Sequence, residues 1–189
     1  ACGTAFYAGL TAKYWFERIT RIPVEVDIAS EFRYREAAMP EGGLAIFISQ
    51  SGETADTLAA LRHARSEGQH VLSIVNVAES TIARESDAVL RTYAGPEIGV
   101  ASTKAFTTQL TVLAVLAIQF ARSRGAINHV IEARLAQALT EVPARAAEVL
   151  NHDERLRDLA AELKDAPDVL FLGRGTAYNI YDYQGFGID

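Results

Sequence analysis

The stretch "LAIFISQSGETADTLAALRHA", residues 44–64, decides how this chain folds. Its opening, "LAIFIS", is short, almost wholly apolar and preceded by Gly42-Gly43, as a central parallel strand covered on both faces requires. The apolar run stops at Ile48, and six small or polar residues, Ser49 to Thr54, follow. From Glu53 to Ser66 the spacing then predicts a helix, with Leu58, Leu61 and Ala64 on one side and Gly68 as its stop. A strand delivering its chain through a serine-rich junction into a helix is the basic unit of an α/β sheet.

Working downstream, "HVLSIVNV" (residues 70–77) reads as a second buried strand. A short helix over residues 80–86 leads to a third strand in "AVLRTYA" (residues 88–94). Strand, helix, strand, helix, strand means crossover connections, a parallel sheet and helices on both faces. A loop, "GPEIGVASTK", precedes a long helix predicted over residues 102–124, with Ser102 in the position of a capping residue. Helices over residues 127–150 and 153–164 follow, and then "DVLFLGRG", another apolar strand, which opens a second α/β unit after a boundary near Asp165. Upstream, residues 7–19 carry apolar side chains at helical spacing and Pro23 marks their end. "VEVDIA" (residues 24–29) alternates as a half-buried strand does, and Ser30 is placed to cap a short helix reaching Ala38.

The totals narrow the function. The 189 residues are 49% hydrophobic and 22% charged, which is the composition of a folded chain with a real core. A formal net charge of -6 offers no general attraction for nucleic acid or anionic membranes, so any phosphate site has to be local. The single cysteine, Cys2, rules out a disulfide framework or a CxxC metal site within the chain and points to a reducing, cytoplasmic setting. No secretory signal is visible over residues 1–10. The most apolar segment, residues 105–121, is interrupted by Thr107, Thr108, Gln109, Thr111 and Gln119, which suits a buried helix better than a bilayer span of ~20 apolar residues. The four histidines have no metal-ligand spacing and are expected at the surface.

Ser49, Gln50, Ser51 and Thr54 crowd the junction between the "LAIFIS" strand and the helix after it. In open α/β sheets ligands sit beyond the carboxyl ends of the strands. A helix mouth there offers unpaired N–H groups and a partial positive charge, so it takes an anion without a lysine. Hydroxyls of Ser49, Ser51 and Thr54 can add donors, and Gly52 lets the backbone come close. The simpler reading is that Ser51 caps the helix, which is worth ~1 kcal/mol and needs only one hydroxyl. Both readings stand on the residues alone. The chain has no GxxxxGK[ST] loop, no GxGxxG after a strand and no GxSxG elbow. Gly3 and Thr4 sit before the first helix, at another helix mouth, and Ser102 and Thr103 before the long one.

Taken together, "ACGTAFYAG", "ASEFRYRE", "SQSGETADTLAALR", "RESDAVLRTYAGPEIGVASTKAFTTQL" and "LFLGRG" resemble the isomerase part of the glutamine–fructose-6-phosphate aminotransferases, the enzymes also called glucosamine-6-phosphate synthases. The resemblance runs from Ala1 to about Gly175. It implies an α/β, flavodoxin-like, three-layer αβα parallel sheet, the sugar isomerase (SIS) domain, incomplete at both ends. Residues 1–125 would form a first SIS domain without its opening strand, residues 126–165 the inter-domain helices, and residues 166–189 the start of a second SIS domain with an atypical tail. It also implies that Ser49, Gln50, Ser51 and Thr54 hold the phosphate of fructose 6-phosphate, that Thr4 helps, and that Val100 and Ser102 contact the sugar. Ala5 departs from the serine that is usual in the family and removes one hydroxyl.

The implied activity is transfer of ammonia from glutamine to the sugar with isomerisation of a ketose to an aldose, without cofactor or metal. The catalytic lysine, glutamate and histidine of the family would lie beyond this chain's match, so no catalytic residue is assigned and the chain alone is expected to bind fructose 6-phosphate or glucosamine 6-phosphate without turning it over. Cys2 is read as a buried structural residue, since the "TAFYAG" after it belongs to the internal isomerase motif. A homodimer is expected for the full-length protein, with neither nucleic acid nor membrane as partner. The alternative is a non-enzymatic, sugar-phosphate-sensing SIS domain of a regulator, against which stand the acidic charge and the lack of a helix-turn-helix pattern. A third reading, a structural module whose serines only cap helices, asks least of the residues.

Overall fold

The computed structural model describes residues 1–98, 102–168 and 172–177. Three strands, β1 (Leu44–Ser49), β2 (His70–Val75) and β3 (Ala88–Arg91), form a parallel sheet in the order β1-β2-β3. Leu44 pairs with His70 and Ser49 with Val75, and Leu72 of β2 pairs with Ala88 of β3. The register brings the carboxyl ends of β1 and β2 level. Whatever follows Ser49 and Val75 therefore meets at one edge of the sheet.

Side-chain alternation along the strands builds two cores. Ile48 and Ile74 point to one face, where they pack with Ala5, Ala8, Ala12 and Phe16 of α1 (Gly3–Thr20) and with Phe106, Leu113 and Ala117 of α5 (Lys104–Ser123). Phe16 and Phe120 join the two helices edge to face, with ring centroids 5.8 Å apart. Phe47, Val71 and Val75 point to the other face, against α2 (Ala29–Phe32), α3 (Ala55–Ser66) and α4 (Thr81–Arg84). The result is the three-layer αβα arrangement expected of the sequence. Fully buried Leu61 and Ile74 sit where truncation to alanine costs ~2–5 kcal/mol, so each face is held by its own cluster.

The long helix α5 is apolar and long enough to cross a membrane by length and composition, yet its Phe106, Leu113 and Ala117 lie in the core against α1 and the sheet. After it, α6 (His129–Leu150) starts at Asn128, whose side chain accepts from the N–H groups of Val130 and Ile131. Leu135 and Leu139 lean on Ile118, Ala121 and Ile127, but neither α6 nor α7 (Asp153–Leu163) has a buried residue.

Several local expectations change. Residues 24–28 belong to no strand, with Ile28 in the extended conformation, and Ala29 opens a helix. Burial alternates only as far as Val26, with Val24 and Val26 half covered and Glu25 exposed, and Asp27 and Ile28 are both half-buried. The backbone bonds of residues 24–29 reach Glu17 Oε1 (from Val24 N, 3.3 Å) and Ala1 O (from Ala29 N, 2.8 Å) rather than a neighbouring strand. Period-two hydrophobicity reports extended chain over a core, and a ladder needs a partner besides. Ser30 lies inside α2, whose capping position is Ile28, and that helix ends at Phe32 rather than Ala38. Of the strand expected in "DVLFLGRG", residues 169–171 lie outside the described residues, and residues 172–174 carry no regular structure.

Candidate functional site

Beyond the end of β1 lies a cavity of about 360 Å³, lined by the starts of three helices. Thr4 comes from the first turn of α1, Ser49 from the last position of β1, Gln50, Ser51 and Thr54 from the loop into α3, and Ser102 from the approach to α5. Six of the seven residues singled out in the sequence thus surround one space. Val100 lies outside the described residues.

The loop is shaped by its own hydroxyls. Ser49 is buried (3% exposed) and its Oγ accepts from Gly52 N at 3.0 Å while standing 3.3 Å from Thr54 Oγ1. Ser51 Oγ accepts from Glu53 N at 3.2 Å. Neither serine caps α3: its capping position is Thr54, which makes no side-chain cap hydrogen bond, and the same is true of Cys2 before α1. Two helix mouths thus face the cavity without a side-chain cap. Gly52 has φ +66°, and a Cβ there would stand 2.0 Å from Ser80 Oγ, so only glycine lets the loop lie against α4.

The loop is stapled from behind. Gly52 O accepts from Ile82 N at 3.0 Å, Gln50 O from Asn76 N at 3.2 Å, and Glu53 Oε1 from Thr81 N at 2.7 Å. The hydrogen bonds from Thr81 hold the Glu53 carboxyl below the usual carboxylate range. Glu53 therefore points away as a cap for α4, which Ser80 also caps through Ala83 N.

The third helix mouth is already occupied by a carboxylate. Glu97 Oε1 accepts from Thr103 N and Lys104 N, each at 2.9 Å, and Oε2 accepts from Ser102 Oγ at 2.9 Å. Burial pushes the Glu97 carboxyl upward, but the bonds from Ser102 and from the N–H groups of Lys104, Ala105 and Thr103 outweigh it and leave the group below the usual carboxylate range. Ser102 is therefore not the cap the spacing implied, and the capping carboxylate arrives from five residues upstream. The sequence reading passed over Glu97 because no local capping spacing marks it. Asn76 fixes the loop that carries it: its Oδ1 accepts from Ala94 N at 2.9 Å and its Nδ2 donates to Gly95 O at 2.8 Å.

Among the described residues that line the cavity, Glu97 alone carries a formal charge. Two more polar residues border it that the sequence did not single out as ligands, Thr57 of α3 and Gln109 of α5. Cys2 also lines the space and is only half buried, so it is not the interior residue expected. Of the histidines, His70, His129 and His152 are exposed, whereas His63 is half buried with its ring edge-on to Phe32. Among the described residues no group of three or more His, Cys, Asp or Glu is arranged to hold a metal ion.

A family model for the SIS domain matches residues 1–119. The chain belongs to the SIS domain family. The match takes in β1, the serine loop and most of α5, which are the parts that build the cavity. Over 178 residues this SIS chain is 61% identical to a glutamine–fructose-6-phosphate aminotransferase (isomerizing) of Bradyrhizobium diazoefficiens, covering 94% of this chain and 29% of that protein. It is 55% identical over 178 residues to the enzyme of the same name from Zymomonas mobilis, with the same coverage. The SIS chain thus spans about three tenths of the length of these relatives. Among solved structures, the C-terminal domain of glucosamine-fructose-6-phosphate aminotransferase from Francisella tularensis superposes with a TM-score of 0.93 at 42% identity, covering 97% of this chain and 52% of that one.

Proposed function

We propose that this chain is the sugar-phosphate-binding SIS module of a glutamine–fructose-6-phosphate aminotransferase, the enzyme that makes glucosamine 6-phosphate from fructose 6-phosphate and glutamine. The observation that carries the reading is the convergence of two uncapped helix mouths and the hydroxyls of Thr4, Ser49, Ser51 and Thr54 on one cavity that, among the described residues, is lined by no lysine or arginine. A phosphate dianion there meets N–H groups and hydroxyl donors at the positive ends of α1 and α3. Glu97 sets the orientation. Its negative charge disfavours the phosphate near α5, which leaves that side, with Ser102, for the uncharged sugar; the resemblance to the aminotransferases assigns Val100 to the sugar as well.

On this reading residues 1–125 are a first SIS domain, residues 126–165 linking helices, and residues 166–189 the beginning of a second SIS domain. The full-length protein is a cytoplasmic homodimer with the sugar phosphates as its ligands. The relatives match 94% of the chain, well past the SIS match, which supports the enzyme over a regulator's sensing domain.

Titration calorimetry tests the site. Fructose 6-phosphate and glucosamine 6-phosphate are expected to bind and unphosphorylated fructose is not; a folded sample that ignores both esters overturns the assignment. In the presence of glutamine the chain alone is expected to release no glucosamine 6-phosphate, and product formation would refute the absence of catalytic residues.

A further inference from the structure

Gln109 and Thr57 are out of character with their surroundings. Gln109 lies on the face of α5 that is otherwise Ala105, Phe106, Leu113 and Ala117, and it is 1% exposed. Thr57 lies on the buried face of α3 with Ala60, Leu61 and Ala64, also 1% exposed. Gln109 Oε1 and Thr57 Oγ1 have no hydrogen-bond partner among the described residues. A buried polar atom without a partner is costly, and native structures seldom leave one so. Both residues stand near the starts of their helices, on opposite faces of the sheet, and both line the cavity. An apolar residue of similar size at either place would complete the core, so stability alone gives no reason for them.

We propose that Gln109 and Thr57 are substrate-binding residues that form the polar floor of the cavity and receive hydroxyl groups of the sugar part of a sugar phosphate. The inference rests on the sugar-phosphate reading above. The amide oxygen of Gln109 accepts a bond from a sugar hydroxyl, and the Thr57 hydroxyl both donates and accepts. Neither carries charge, so the pair adds little for the phosphate and discriminates the polyol. A site with buried polar groups rejects a ligand that leaves them unpaired.

The test compares Gln109→Met and Thr57→Val, which keep approximate volume and remove the polar atoms, with the parent chain. Thr11→Val serves as control, because the Thr11 hydroxyl is equally buried and unpartnered but does not line the cavity. Affinity for glucosamine 6-phosphate and for inorganic phosphate is measured by calorimetry, with circular dichroism to confirm folding. Each cavity variant is expected to weaken glucosamine 6-phosphate about tenfold, the scale of one hydrogen bond, and to leave inorganic phosphate within about twofold, while Thr11→Val changes neither. Sugar-phosphate affinity unchanged in both cavity variants, or both ligands weakened alike, overturns the inference while the site reading survives. A parent chain that binds neither ligand overturns the site reading and this inference with it. If Gln109→Met fails to fold, Thr57→Val alone decides.

Discussion

Glu97 is the residue on which the geometry of the third helix mouth turns. A charged acceptor bonded to successive N–H groups forms stronger bonds than a neutral one, and here the same carboxylate also holds the Ser102 hydroxyl. Since folding lowers its pKa, its contribution is fully present above the ordinary carboxylate value near 4.5 and is lost as the pH falls through the lower folded value. Glu97→Gln keeps the shape and removes the charge, so it is expected to cost ~1 kcal/mol at pH 7, the worth of a helix cap. Urea unfolding of both proteins from pH 7 down to pH 3 checks this. Glu53 and Glu85, whose carboxyls are also held low, titrate in both proteins and cancel in the difference. The gap between the two curves should close in acid, and a gap that stays constant would show that charge is irrelevant. At this scale the gathering of the serine loop at one cavity was legible, because residues between the end of a parallel strand and the next helix lie together at one edge of the sheet. Glu97 was not, since a cap delivered by a loop leaves no fixed spacing, and Gln109 read only as an interruption in an apolar helix.

Among the elements, the strands and long helices followed from periodicity because each has a core-facing stripe that only one period satisfies. The sequence reading of residues 24–29 went wrong for a reason of the same kind: alternation fixes which side chains are covered, while strand pairing depends on a neighbour the local pattern cannot report. The connections matter more for the site. Asn76, just after β2, holds the Gln50 carbonyl with its backbone N–H and the loop to Glu97 with its amide. It therefore couples the serine loop to the α5 mouth. Asn76→Ala strips the Ala94 N–H and the Gly95 carbonyl of their bonds, and is expected to lower stability by ~1–3 kcal/mol and to weaken sugar-phosphate binding at the same time. Denaturant melts and calorimetry on one preparation measure both, and a variant that loses stability while binding at full strength would separate Asn76 from the site.

For the molecule as a whole, the uneven distribution of burial has consequences. The sheet and its flanking helices bury their apolar faces, whereas α6 and α7 expose Val130, Ile131, Val142, Val149, Leu150, Leu156, Leu159 and Leu163, each at least 42% accessible. Their charged pairs do not offset this. Arg145 with Glu141 and Glu148, and Arg157 with Asp153, are solvent-exposed partners within single helices, of a kind worth ~0.3–0.5 kcal/mol each. Apolar surface repeated along two helices drives association whenever a second apolar surface is available. The chain at tens of micromolar, a concentration chosen for the assay, is therefore expected to run on size exclusion with light scattering as dimers or larger species. Exchanging Val149, Leu150, Leu156 and Leu159 for glutamine should shift it towards monomer without disturbing phosphate binding, because the cavity is built from the starts of α1, α3 and α5 and neither α6 nor α7 lines it. A parent chain that stays monomeric across the concentration range would mean that these faces are too dispersed to drive association. Loss of phosphate binding in the glutamine variant would mean instead that the two helices support the cavity through the packing of α6 on α5 at Ile118 and Ala121.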